Sequence, residues 1–91
     1  MDTKIITLDF TECCYLGEVY EVIRRGLELP EWFGANPDAL WDALTGIAHT
    51  PAEIRILPQA RRSELLPEIE EIIAVFQEAA QTYREISVTV L

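Results

Sequence analysis

Three short stretches of this 91-residue chain alternate between apolar and polar residues with a period of two. Ile6, Leu8 and Phe10 alternate with Thr7 and Asp9. Ile54 and Ile56 alternate with Glu53 and Arg55. Ile86, Val88 and Val90 alternate with Ser87 and Thr89. A strand that is apolar on one side only belongs to a sheet covered on one face, whereas a doubly covered parallel sheet reads as continuous apolar runs. Each pair of consecutive strands is separated by enough chain for a helical crossover, which predicts parallel pairing. Right-handed crossovers that all progress in one direction place every helix on the same face. The expected fold is therefore α/β in two layers, a three-stranded parallel sheet with helices packed on one face.

The intervening segments carry helical periodicity. A first helix is expected from about Tyr15 to Arg25, with Leu16, Val19, Tyr20, Ile23 and Leu27 facing inward and Gly26 ending it. A last helix is expected from Pro67 to about Tyr83, with Ile69, Ile72, Ile73, Phe76, Ala80 and Tyr83 inward. A short helix fits between Gln59 and Leu66. Ninety-one residues make one domain. A chain of this size buries only about 60–65% of its extended-chain surface, so its core is adequate without being generous.

Residues 29 to 46 carry the chemistry. Leu29-Pro30-Glu31-Trp32-Phe33-Gly34-Ala35 reads as an aromatic-glycine loop feeding a short helix. Asn36 is a favoured N-cap, Pro37 suits the first helical position, and Gly46 suits a stop. At about 100° per residue, Asp38, Asp42 and Thr45 share one stripe of that helix. Leu40, Ala43, Leu44 and Ile47 lie on the other side, and Trp41 flanks the acidic stripe. Two carboxylates one turn apart cost a helix a few tenths of a kcal/mol. Asp38 recovers part of this from the helix dipole, and Asp42, further in, recovers less. No Lys or Arg occurs between Gly26 and Ile54 to neutralise them. An acidic pair of this kind is ordinarily a solvated face. The flanking Trp32, Phe33 and Trp41 point instead to an interaction surface, with a core role for one or two of the rings as the counter-reading.

The run from Leu29-Pro30 through Trp32-Phe33-Gly34 to Asn36, Asp38-Ala39-Leu40-Trp41-Asp42 and Leu44-Thr45-Gly46 closely resembles the barstar family of intracellular ribonuclease inhibitors. The likeness extends more weakly over the chain, through the opening strand and helix and through Val75-Phe76-Gln77-Glu78-Ala79. Pro37 stands where the family commonly has an aliphatic residue, and Ala43 where it commonly has Cys. Trp32 stands where Tyr is typical, which removes a phenolic hydroxyl from the contact surface. The resemblance implies a single barstar-like domain over residues 1–91 and a basic, barnase-like ribonuclease as protein partner. It further implies Asp42 as the central mimic of an RNA phosphate, Asp38 against the loop that reads the base, and Trp32 on the catalytic histidine of the nuclease. Phe33, Gly34, Asn36, Trp41 and Thr45 would shape or join the contact, and Glu78 would add an outer ion pair.

Charge and cysteine usage agree with that expectation. Seven basic against sixteen acidic residues give a net charge of −9, which opposes binding to nucleic acid or anionic membranes and favours a basic partner. The first residues show no secretion-signal pattern and no run approaches the roughly 20 apolar residues of a membrane span, so a cytoplasmic location is expected. Adjacent cysteines rarely pair with each other, so Cys13 and Cys14 read as two free thiols in a reducing compartment. With one histidine, His49, and no phosphate-binding glycine loop, no metal, cofactor or catalytic residue is assigned. A monomer, alone or in a 1:1 complex, is expected. The runner-up is an acidic immunity module of the same fold aimed at a different nuclease toxin or another basic protein. A small enzyme using the acidic pair is a third reading, disfavoured because both carboxylates project from one convex helix face instead of flanking a cleft.

Overall fold

The computed structural model describes residues 3–47 and 51–91. Along the chain the elements are β1 (Lys4–Asp9), α1 (Leu16–Gly26), α2 (Pro37–Ile47), β2 (Ala52–Leu57), a 3-10 turn (Ser63–Leu65), α3 (Leu66–Thr82) and β3 (Ile86–Val90). The sheet order is β1-β2-β3 and both pairings are parallel. Ile6, Ile54 and Val88 align across it, as do Leu8, Ile56 and Val90.

The alternation of each strand decides which face is covered. Ile6, Leu8, Phe10, Ala52, Ile54, Ile56 and Ile86 are buried, while Thr7, Asp9, Arg55, Ser87 and Thr89 are exposed. Against the apolar face lie Val19, Tyr20 and Ile23 of α1, Leu40 and Leu44 of α2, and Ile69, Ile72, Phe76 and Ala79 of α3. The expected two-layer fold is the observed one. Cover thins along β3, where Ile86 is buried, Val88 half-buried and Val90 exposed. Alternation assigns a face but not the reach of the helices that cover it, and the end of β3 lies beyond that cover. The expected helix over Gln59–Leu66 shrinks to the three-residue 3-10 turn, and α3 begins one residue early with Pro67 in its first turn. Ala79 joins the core ahead of Ala80, which is half-buried. Of the expected inward residues of α2, the side chain of Ile47 lies outside the described residues, as does His49.

Two glycines behave differently from expectation. Gly46 does not stop α2, which runs through it to Ile47, and a methyl group there would meet nothing within 4 Å. Gly26 is the last residue of α1, but the left-handed conformation that turns the chain belongs to Glu28, at φ 56°. The Glu28 amide donates to the Arg25 carbonyl (3.2 Å) and the Leu29 amide to the Arg24 carbonyl (2.8 Å), the paired bonds of a Schellman ending. Gly26 serves packing instead. A Cβ there would fall 2.5 Å from a methyl of fully buried Leu8, which would have to shift within the core.

Cys13 is buried and Cys14 half-buried, and both thiols are free. Burial, with Glu18 and Asp9 nearby, pushes the Cys13 thiol above its ordinary pKa and keeps it protonated.

Leu44 is fully buried, so Leu44→Ala should cost about 2–5 kcal/mol of stability through the cavity it leaves, measured by urea melts. Glu28→Gly should do the opposite. Relief of a left-handed residue is worth about 1–2 kcal/mol, offset by about 0.4–1 kcal/mol of added chain freedom in the unfolded state. The Lys4–Glu28 ion pair that would be lost is exposed at both ends and contributes little. A net gain of about 0.5–1 kcal/mol is expected in the same melts.

Candidate functional site

The loop between α1 and α2 is built to present one aromatic and anchor the other. The Phe33 amide donates to the Pro30 carbonyl (3.0 Å), closing a turn over residues 30–33. Phe33 is half-buried, its ring 6.3 Å from that of buried Tyr20 and tilted by 53°. Trp32, one residue earlier on the same turn, is 85% exposed. Gly34 lets the loop close on the helix that follows. A Cβ there would lie 3.1 Å from the Asn36 side-chain amide and 3.2 Å from the Ala39 methyl. Asn36 Oδ1 accepts the Ala39 amide at 2.8 Å, the N-cap bond expected from the sequence. Its oxygen is therefore committed to the helix.

The register of α2 then follows from its core contacts. Leu40 and Leu44 are fully buried, and on a 3.6-residue helix this turns the opposite stripe outward. Asp38 and Asp42 are exposed and Thr45 half-buried. Asp38 sits in the first turn, where the helix dipole favours a carboxylate. The Thr45 hydroxyl donates to the Asp42 carbonyl at 2.7 Å, a bond within the helix that leaves the Asp42 carboxylate out of the exchange. Trp41 is half-buried, with its ring 6.2 Å from Tyr83. Glu78 is exposed on α3, the helix packed against α2. Its backbone carbonyl takes the Thr82 hydroxyl.

The charge pattern sets this face apart. Lys4 pairs with Glu28, Arg24 and Arg25 with Glu21, Arg55 with Glu53, and Arg61 with Glu12. These pairs use five of the seven cations, and all lie outside α2. Among the described residues, no ion pair reaches Asp38 or Asp42, so the described cations leave the negative field of that face unneutralised.

The structure thus brings Trp32, Gly34, Asn36, Asp38, Trp41, Asp42 and Thr45 onto one loop-helix unit, with Phe33 as its anchor and Glu78 on the neighbouring helix. The sequence placed Tyr20 and Tyr83 on inward helix faces but gave no sign that they meet Phe33 and Trp41. Both ring pairs join residues distant along the chain, and local spacing carries no signal for them. Among the described residues there is no group of three or more His, Cys, Asp or Glu side chains suited to a metal ion, and no helix long and apolar enough to cross a membrane.

The family model described as Barstar (barnase inhibitor) matches residues 3–91. The match takes in all three strands, all three α-helices and the whole aromatic-acidic unit, so the chain belongs to the barstar family.

Proposed function

We propose that this protein is a single-domain inhibitor of a basic ribonuclease, acting inside the cell that makes the nuclease as its antitoxin or immunity protein, in a 1:1 complex. The observation that carries this reading is the exposed Asp38–Asp42 pair, without an ion-pair partner among the described residues and following a loop with an 85% exposed tryptophan. A ribonuclease active site must hold phosphates and is lined with Arg, Lys and His. Carboxylates presented at that spacing can take the phosphate positions, with charge-assisted and often bidentate bonds from arginine. Asp42 is assigned the central phosphate position and Asp38 an outer one toward the base-reading loop. Trp32 is assigned to the catalytic histidine, with Gly34 giving close backbone approach. Trp41 and Thr45 flank the contact, and Glu78 adds a peripheral ion pair. Phe33 and Asn36 act mainly through the shape of the loop and the helix start. The protein itself is assigned no catalytic role.

RNA cleavage by a basic secreted ribonuclease, measured with and without the protein, tests the reading. Stoichiometric loss of cleavage supports it. Unimpeded cleavage, with capture of a different basic protein from the producing cell, would favour the immunity-module alternative.

Two further outcomes follow from the charge pattern. Association with the nuclease should be electrostatically steered, so the on-rate in stopped-flow should fall steeply from low to moderate salt while the off-rate changes less. A flat on-rate would remove the phosphate-mimic argument. Asp42→Ala should leave stability unchanged or raise it by roughly 0.5–1 kcal/mol, since alanine has the higher helix propensity and the like-charge pair is gone. The Thr45 bond survives, because it uses the Asp42 backbone carbonyl. Binding should weaken by several kcal/mol, a size that follows the precedent of this family's own complexes with ribonuclease, since desolvated cations of the target lose their anion. Unfolding of Asp42→Ala in urea melts would make the carboxylate structural.

A further inference from the structure

The last turn of α1 carries two adjacent arginines in unlike settings. The Arg25 side chain is 76% exposed and approaches Glu21 only at 3.9 Å. The Arg24 side chain is 26% exposed. Its Nε donates to the Glu21 carboxylate at 2.5 Å and its Nη1 to the Leu29 carbonyl at 3.3 Å. The Leu29 amide in turn donates to the Arg24 carbonyl at 2.8 Å. One residue therefore grips both peptide groups of Leu29, from the backbone on one side and from the guanidinium on the other.

That grip falls where the direction of the loop is decided. Leu29 precedes Pro30, and a residue before proline is confined to extended conformations while the proline ring fixes its own φ. From Pro30 to Phe33 the chain is a closed turn. The loop thus leaves α1 as a stiff unit whose orientation is set at the Leu29–Pro30 peptide plane. A surface cleft of about 180 Å³ opens between α1 and the loop, with Tyr20, Glu21, Arg24, Glu31 and Phe33 among its walls.

We infer that Arg24 is a positioning residue of the binding surface: by holding the Leu29–Pro30 peptide plane it sets the direction in which Trp32 and Gly34 are presented. The inference rests on the reading of this loop as a contact surface, but its effect on the loop is measurable without any partner. Glu21 fixes the guanidinium by taking Nε, which leaves Nη1 free for Leu29. Lysine, with one charged nitrogen, cannot hold a carboxylate and a carbonyl in that fixed fork.

The test compares Arg24→Met, which keeps the aliphatic stem, with Arg25→Met, which removes the same charge from the same helix turn, and with Arg24→Lys. Amide exchange and ¹⁵N relaxation by NMR are read at the Phe33 amide and the Trp32 indole N–H. In Arg24→Met, exchange at Phe33 should rise by at least about tenfold while amides of β2 are unmoved, the signature of local and not global opening. The Trp32 order parameter should fall toward the flexible range below about 0.6. Arg25→Met should leave both unchanged, and Arg24→Lys should restore neither fully. With barnase as the probe, Arg24→Met should bind about three- to tenfold more weakly, the cost of ordering a loosened loop. Equal behaviour of the two methionine variants, or faster exchange spread evenly over the core, would overturn the inference. So would a loosened loop that binds barnase as tightly as the unsubstituted protein. If the unsubstituted protein does not bind barnase, that bears on the proposed target, and the exchange comparison still decides the role of Arg24.

Discussion

The burial of Leu40 and Leu44 governs how this molecule meets its surroundings. A helix pinned at two positions one turn apart has no freedom to roll. Fixing those leucines against the core therefore fixes Asp38, Asp42 and Thr45 toward solvent. The sheet supports this from below. The covered face of β1, β2 and β3 supplies the apolar layer, and α3 closes the side on which α2 rests. Had the leucines been spaced by three and not four, the same acidic residues would face a different direction with no change in composition.

Around that fixed helix, two ring pairs divide the aromatic residues by task. Phe33 on Tyr20 and Trp41 on Tyr83 hold the loop and the helix flank to the body of the protein. Trp32 has no such partner among the described aromatic pairs and stands in solvent. The polar groups divide in the same way. The Asn36 oxygen, the Thr45 hydroxyl and the Arg24 guanidinium are engaged in building the unit, while among the described residues the two aspartate carboxylates of α2 take no part in that bonding.

Most of the fold was legible in the chain because period-two and period-3.6 patterns report burial directly. Ile54 and Ile56 in the central strand and Val19, Tyr20 and Ile23 in α1 lie where alternation and helical spacing put them. Patterns failed where burial depends on neighbours that are distant in sequence. Val90 alternates correctly yet is exposed, since alternation reports which face a residue takes and not how far the helical layer extends over it. Gly46 resembles a stop but is crossed by the helix, and the left-handed turn after α1 fell to Glu28, two residues beyond the glycine that suggested it. The acidic stripe was visible from spacing alone. The ties that orient the loop were not, because Arg24 looks like any basic residue in the last turn of a helix until its guanidinium is seen against the Leu29 carbonyl.

The isolation of Trp32 from the core has an evolutionary corollary. Substitutions at a residue that touches almost nothing of its own chain are close to neutral for folding, whereas Phe33, one position along, is tied to Tyr20 and constrained by it. A lineage can therefore exchange the side chain at position 32 without passing through unstable intermediates, and under the proposed function such exchanges retune the fit to the nuclease. A position this exposed can vary while the fold around it stays constant.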